Sequence, residues 1–230
     1  HGHESAGVSQ ASNSILSVAN AAPVVQPSQI ALNGGLDMTL TQEAGQTTGF
    51  HLDYVVTDNN SCENSASDPE IEDYVVSVLR SGIATTSCDG SGDYNPNNCY
   101  TSTIASTTWN LACSATTTVA SDCTGANDPT VTWSCSFPLW YIADPTDGVA
   151  SDTLYFAEDW RAIVSAVDDD SATGTARRSS TADVDVKSFM MMALDSAFIP
   201  YGQLEPGQRT DPLAASTTVR ATGNVGLDQL

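Results

Sequence analysis

The sequence predicts an all-β protein built as a β-sandwich, and three observations support this fold class. Apolar and polar residues alternate with period two along several segments, as expected for strands with one buried face. Clusters of Gly, Pro, Asn, Asp and Ser separate these segments at short intervals. No segment shows a convincing helical periodicity.

The best-defined predicted strand covers residues 131–143. Every second residue is apolar, and small polar residues lie between them. The apolar positions are Val131, Trp133, Cys135, Phe137, Leu139, Tyr141 and Ala143. A turn at residues 144–147, Asp-Pro-Thr-Asp, ends the strand. This face carries enough apolar surface to seed the core of a sandwich.

Further strands are predicted in order along the chain, at residues 30–32, 36–40, 50–56, 73–80, 100–118 and 155–167. Residues 73–80 are apolar on both faces, which predicts a central strand. Residues 155–167 have some helical propensity, but Trp160, Ala162 and Val164 alternate, and an Asp-rich turn follows. About seven short strands separated by turns indicate an Ig-like β-sandwich over residues 28–174.

The remaining residues are predicted to form three other parts. Residues 1–27 are a small, polar N-terminal extension with one apolar patch. Residues 175–182 are small and polar, as in a linker. Residues 183–230 alternate again but supply only about half of the roughly 100 residues of a complete sandwich. The predicted fold is therefore an Ig-like β-sandwich followed by a second, incomplete β-sandwich module.

The charge excludes several partners. A net charge of −21 with only 7 Lys and Arg argues against a nucleic-acid-binding surface and an anionic membrane surface. No run of about 20 apolar residues predicts a membrane span. No signal peptide is recognisable, so a chain that starts at His1 is expected to be a mature form whose leader was removed.

The six cysteines predict disulfides and an oxidising, extracellular or cell-surface location. They are Cys62, Cys88, Cys99, Cys113, Cys123 and Cys135, and none forms a C-x-x-C pair. Six cysteines allow fifteen connectivities. Our hypothesis is two local bridges, Cys88–Cys99 and Cys113–Cys123, which would leave Cys62 to reach Cys135.

Short turn motifs point to known surface proteins. They are Leu32–Gly35, residues 56–60, residues 97–100 and residues 140–145, with a Leu-x-Pro-Gly turn at 204–207 and a Thr-Gly-Asn turn at 222–224. With the first four, residues 28–174 resemble the Ig-like domains of secreted proteins from uncultured bacteria. The last two resemble repeats of bacterial surface proteins. This resemblance implies a structural or adhesive role rather than catalysis.

An apolar N-terminal segment and an incomplete C-terminal sheet predict self-assembly by strand addition. This logic is similar to that of donor-strand surface filaments. The predicted donor residues are Ile15, Leu16, Val18, Val24 and Val25, and the predicted acceptor residues are Phe189, Met191 and Val219. A head-to-tail contact of this kind generates filaments when it does not close. The sequence therefore predicts a non-enzymatic subunit of an extracellular filament or cell-surface layer, whose partner is itself.

A copper enzyme is one alternative function. A secreted β-sandwich that begins His1-Gly2-His3 resembles the copper-dependent lytic polysaccharide monooxygenases, in which the N-terminal His and a second His bind copper. Here His3 lies too near His1 to oppose it, although the two would form a tight N-terminal chelate. His51 is out of phase with Leu52 and Tyr54, so we expect it to face away from the core.

Calcium is the predicted cofactor, since Asp-rich loops supply the oxygen ligands that this ion prefers. The candidate ligands are Asp58, Asn60, Glu63, Asp144, Asp147, Asp168 and Asp170. Their spacing matches no complete EF-hand. A further alternative function is a monomeric adhesin module that binds surface glycans through a platform at Trp109 and Trp140, although we favour core packing for tryptophans in strands. The chain has no G-x-S-x-G, Walker or dinucleotide-binding motif.

Overall fold

The protein is all-β, as predicted. The computed structural model describes residues 20–41, 44–58, 71–88, 94–104, 108–119, 130–150, 153–178, 184–198, 203, 205–209 and 217–225. Eleven strands in these ranges form three antiparallel sheets. The helical elements of the same ranges are three short 3-10 helices at Pro27–Gln29, Asn33–Gly35 and Thr85–Cys88.

Sheet I is built around two long strands, β3 and β7. Its members are β1 (Val24–Val25), β2 (Ala31–Leu32), β3 (Thr47–Thr57), β6 (Ala112–Val119) and β7 (Thr130–Trp140). β3 pairs with β7 along its whole length, from Thr47 opposite Trp140 to Thr57 opposite Thr130. β1 and β2 pair with the other edge of β3, and β6 pairs with β7.

Sheet II is built around β4 and β8. Its members are β4 (Ile71–Arg80), β5 (Cys99–Thr101), β8 (Trp160–Asp168) and β9 (Arg177–Arg178), in the order β5-β4-β8-β9. The central position of β4 confirms the prediction for residues 73–80. Residues 160–167 form a strand as predicted, but residues 155–159 lie outside it. β9 lies within the predicted linker, because Arg177 and Arg178 pair with Val164 and Ile163.

The two sheets enclose one hydrophobic core. The odd-numbered residues of β7 from Val131 to Leu139 are buried, which confirms the predicted face. Sheet I also contributes Leu52, Tyr54 and Val56, and sheet II contributes Val76, Val78, Tyr100, Trp160, Ala162 and Val164. The side chain of Trp160 is fully buried, and its indole N–H donates to the carbonyl oxygen of Asp144 at 2.9 Å.

Residues 184–188 close one end of this core. Val184 and Val186 are buried in it, although the sequence predicted that a second module begins at residue 183. Val184 exchanges two backbone hydrogen bonds with Trp160 of β8, and Val186 forms a parallel bridge with Met38. Lys187 Nζ lies 2.7 Å from Asp37 Oδ2, and this hydrogen bond lowers the pKa of the Asp37 carboxyl.

The position of β1 contradicts the prediction that Val24 and Val25 belong to the donor segment. Val24 pairs with Thr57, and Val25 pairs with Val56 of the same chain. Val25 is buried in the core, because the apolar side chain fits beside the core face of β3. Val24 and Val25 therefore complete their own sheet I. The other donor residues, Ile15, Leu16 and Val18, lie outside the described residues.

Sheet III is small and separate from the other two. It consists of β10 (Met192–Leu194) and β11 (Val219–Ala221), which pair in antiparallel register. All six of its residues are exposed. Beyond residue 188, sheet III and the turns around it are the part of the predicted second module that the structure describes.

We predict that Gly174→Ala destabilises the protein. A Cβ at this position would lie 2.1 Å from the carbonyl oxygen of Pro23, so the backbone before β1 would have to move. We expect a loss of roughly 1–3 kcal/mol in the free energy of unfolding, measured by chemical denaturation.

Gly49→Ala is the matched control for this substitution. A Cβ at Gly49, in β3, would meet no atom within 4 Å. Its stability should stay equal to that of the wild type or rise by up to about 1 kcal/mol, because Gly is unfavourable inside a strand. Equal effects of the two substitutions would contradict the steric account.

Candidate functional site

The exposed apolar surface around sheet III is the main candidate site. Large apolar side chains lie in the open on β10, on β11 and beside them: Met190, Met191, Met192, Leu194, Phe198 and Val219. Met192 and Leu194 are 56% and 54% exposed, and Phe198 is 70% exposed. Clustered apolar side chains of this size on a surface mark interaction sites more often than single ones do.

Sheet III also has free edges. Within the described part of the chain, β10 and β11 pair only with each other, so the outer edge of each strand has no strand neighbour. Such edges expose backbone donors and acceptors that are able to pair with an additional strand. Arg220 of β11 and Asp195, which follows β10, form an ion pair with 2.8 Å between Nη2 and Oδ1, and both side chains are exposed.

Asn224 holds sheet III against the core. Its side-chain amide donates to the carbonyl oxygens of Lys187 at 2.9 Å and Ala143 at 3.3 Å, and its Oδ1 accepts the N–H of Phe189 at 2.7 Å. The preceding Gly223 is required for this approach, because a Cβ there would lie 2.2 Å from the carbonyl oxygen of Phe189. The sheet is thus held at one end.

The predicted acceptor residues divide between two roles. Met191 and Val219 are exposed, at positions where a binding partner would reach them. Phe189 is partly buried and packs against the core, so its side chain anchors the segment that leads into β10. Sequence periodicity could not separate these roles, because it shows a shared face without showing what covers that face.

The described members of the predicted calcium set each contact different residues. Asp144 accepts a hydrogen bond from Arg80, and Asp147 Oδ1 accepts the N–H of Ser188 at 2.7 Å. Asp168 accepts Asn20 Nδ2 at 2.8 Å and the N–H of Ala172 at 2.6 Å, while Asp170 is exposed. Asp58 is buried at the end of β3.

Among the described residues, the carboxylates of the predicted set are not gathered into one group. The residues that the structure describes contain no group of three or more His, Cys, Asp or Glu side chains able to hold a metal ion. Asn60 and Glu63 of the calcium prediction and His1 and His3 of the copper prediction lie outside the described residues. His51 is exposed on β3, which confirms its predicted orientation, and its Nε2 lies 3.8 Å from Asp53 Oδ2.

Two disulfides are present among the described residues. Cys88–Cys99 confirms the first predicted bridge. The predicted Cys113–Cys123 bridge is wrong, because Cys113 is bonded to Cys135, and the predicted partner Cys62 is therefore not bonded to Cys135. The two bonded residues lie directly opposite each other on β6 and β7. Cys62 and Cys123 lie outside the described residues.

The predicted glycan-platform residues are brought together. The rings of Trp109 and Trp140 pack edge to face with centroids 4.7 Å apart, and Tyr141 packs on Trp140 at the same distance. All three side chains are partly buried. Trp109 also packs against the hydrophobic core, as the core-packing interpretation predicted, whereas Trp140 lies on the face of β7 that points away from the core.

A buried charged cluster around Arg80 was not predicted. Arg80 ends β4, and only 8% of its side chain is exposed. Its Nε donates to Asp144 Oδ2 at 3.0 Å, its Nη1 donates to Glu158 Oε2, and its guanidinium lies 3.6 Å from the ring centre of Tyr155. Burial raises the pKa of the Asp144 carboxyl, while the positive charge and hydrogen bond of Arg80 lower it.

A signal for this cluster does exist in the sequence. The chain has only 7 Lys and Arg, and Arg80 directly follows an apolar strand. A cation at such a place is more often paired than free. Its partners, 64 and 78 residues away, could not be chosen from among 28 carboxylates.

Comparisons with protein-family models, curated proteins and solved structures found no match. Among the helices in the described part of the chain, none has the length and apolar character needed to cross a membrane.

We predict that Arg80→Met strongly destabilises the protein. The substitution leaves Asp144 and Glu158 without their cation, and breaking a buried pair in this way costs roughly 3–5 kcal/mol. Chemical denaturation at neutral pH measures the loss. Arg220→Met, which removes an exposed ion pair, is the control and should cost at most about 1 kcal/mol.

The cost of Arg80→Met should depend on pH. A carboxyl whose folded pKa is raised contributes stability that is fully present below its unfolded pKa of 3.8 and is lost as the pH rises through the folded pKa. Arg80→Met removes the cation that lowers the Asp144 pKa, so this loss is larger in the variant. The difference in stability from the wild type should therefore shrink as the pH falls towards 3.8. A difference that stays constant from pH 7 to pH 4 would contradict the electrostatic account.

Proposed function

We propose that this protein is a structural subunit of an extracellular filament or cell-surface layer, and that its subunits join head-to-tail by adding a β-strand to sheet III. The observation that carries the proposal is the exposed, apolar, two-stranded sheet, whose outer edges have no strand neighbour among the described residues. A two-stranded sheet is at most marginally stable by itself, so a third strand would stabilise it.

The proposed fold of sheets I and II is an Ig-like sandwich. One supporting feature is Tyr100, the middle residue of β5, which donates its hydroxyl hydrogen to the carbonyl oxygen of Pro96, four residues upstream. This contact is similar to the tyrosine corner of Ig-like domains. The disulfide departs from that pattern, because Cys113–Cys135 joins two strands of the same sheet instead of bridging the two sheets.

The proposed location is outside the cell. Disulfides persist in oxidising compartments, and both bridges in the described residues involve buried or partly buried cysteines. A net charge of −21 keeps separate molecules apart in solution. Assembly against this repulsion needs a specific contact, and backbone pairing on an apolar strand supplies one.

The donor in this proposal is the apolar patch at Ile15, Leu16 and Val18 of the neighbouring subunit. Asn20, the first described residue, is hydrogen-bonded to Asp168 of its own chain, and β1 follows in its own sheet I. The donor is therefore confined to residues before Asn20. Its aliphatic side chains match the Met and Leu side chains of β10 in chemistry.

The donor is tested by deleting residues 5–18. This deletion keeps Asn20 and β1, so the core should remain folded with an unchanged far-UV circular dichroism spectrum. We expect soluble monomers, whereas the full chain should form fibres in negative-stain electron microscopy. Fibres from the deleted chain would show that the segment is not the donor.

The acceptor is tested by the double substitution Met192→Lys and Leu194→Lys. Both side chains are exposed, so the change in stability should be within about 0.5 kcal/mol. Two lysines on a short edge strand oppose further strand pairing. Assembly measured by light scattering should therefore be lost.

The matched control is Leu36→Lys with Leu154→Lys. These leucines are at least as exposed but lie outside sheet III, and the change in net charge is the same. The control should assemble like the wild type. If both double variants lose assembly, general charge and not sheet III controls it.

A further inference from the structure

A second surface site lies on the outer face of sheet I. It is a groove of about 350 Å³ lined by Thr47, Gly49, Asn110, Ser136, Phe137 and Pro138. This volume is within the range of small-ligand sites. Thr47, Gly49 and Asn110 are exposed, and the groove lies on the opposite side of sheet I from the core.

The groove exists because β6 is shorter than β7. The last register pair between them is Ala112 with Ser136, so in the described residues β7 continues beyond it with β3 as its only strand neighbour. The N–H of Trp140 points away from β3 and donates to the Tyr100 hydroxyl at 2.7 Å. Pro138, two residues earlier, has no N–H to place on that side, which explains how a proline fits in this strand.

Gly49 keeps the groove open from the side of β3. It lies opposite Pro138, and a Cβ at Gly49 would meet no atom within 4 Å. The backbone does not require glycine there, because Gly49 is not among the glycines with a positive φ. The residue therefore contributes open space and no special turn.

Two tryptophans lie next to residues that line the groove, although neither is itself a lining residue. Trp140 is on the same face of β7 as Ser136 and Pro138, and its register partner Thr47 lines the groove. Trp109 immediately precedes Asn110, and its ring packs on Trp140. Trp109 also packs against the core, so only the exposed parts of these indole rings offer an apolar surface next to a polar edge.

The lining chemistry favours an uncharged, hydroxyl-rich ligand. Thr47 and Ser136 offer hydroxyls, and Asn110 offers an amide that both donates and accepts. Among the lining residues that the structure describes there is no Lys or Arg, and the protein carries a net charge of −21, so anionic ligands are repelled. Pyranose rings combine apolar C–H faces, which stack on indole rings, with hydroxyls that pair with such side chains.

We infer that this groove, beside the Trp109–Trp140 pair, binds neutral saccharides. Assembly at sheet III does not use these residues, so a filament subunit would carry the site as a separate adhesive surface. The inference does not depend on assembly, because a monomer would bind equally well.

The test titrates the full-length protein with cellohexaose, xylohexaose, mannohexaose and chitohexaose. Binding is followed by tryptophan fluorescence and by isothermal titration calorimetry. We expect at least one sugar to bind saturably and to change the fluorescence. Gly49→Phe, which fills the groove, should abolish binding, and Asn110→Ala should weaken it about tenfold.

Val55→Phe is the matched control. Val55 lies on the same outward face of β3, six residues or about 20 Å from Gly49. The Val55→Phe variant should bind the sugars like the wild type, and circular dichroism verifies the fold of each variant. Asn110 is exposed, so Asn110→Ala keeps the test informative if Gly49→Phe fails to fold.

Three results would overturn the inference. The first is that the wild-type protein binds none of the four sugars at millimolar concentration. The second is that Gly49→Phe or Asn110→Ala binds a sugar as tightly as Val55→Phe does. The third is that a proline decamer, added as a peptide probe for aromatic grooves, binds in place of every sugar.

Discussion

The pairing of β3 with β7 is the constraint on which the rest of the structure depends. These strands match residue for residue from Thr47 to Thr57, so the face of every side chain in sheet I is set at once. One face supplies core residues from Leu52 to Phe137. The other face supplies the open surface at Gly49 and Pro138. A shift of one residue would exchange these two faces, burying the polar residues and exposing the core.

Local features of this structure could be predicted from the sequence. Strict alternation identified β7 and its buried face, and the apolar run at residues 73–80 identified β4 as an interior strand. The Cys88–Cys99 bridge was predictable because it closes a short loop. Each of these inferences needs only neighbours along the chain, where the strand period and the loop length are sufficient.

Long-range features could not be predicted in the same way. The partner of Cys113 depends on the register of β6 against β7, and periodicity leaves register open. The partners of Arg80 come from the turn after β7 and the loop before β8. Val184 follows a polar segment that is typical of a linker, but its apolar side chain fills the core beside Trp160. At the candidate site, the acceptor residues Met191 and Val219 were chosen from the alternation of apolar residues. That alternation shows which side chains share a face, but it does not show whether the face is exposed.

The disulfide between Cys113 and Cys135 ties an edge strand of sheet I, β6, covalently to its neighbour β7. It links directly opposed residues of β6 and β7, 22 residues apart in sequence. While this bond is intact, β6 stays attached to β7 and cannot be exchanged as a whole with a neighbouring molecule. The short strands of sheet III carry no such bond between them. Oxidation thus ties β6 to its own molecule, whereas β10 and β11 are held together by noncovalent contacts.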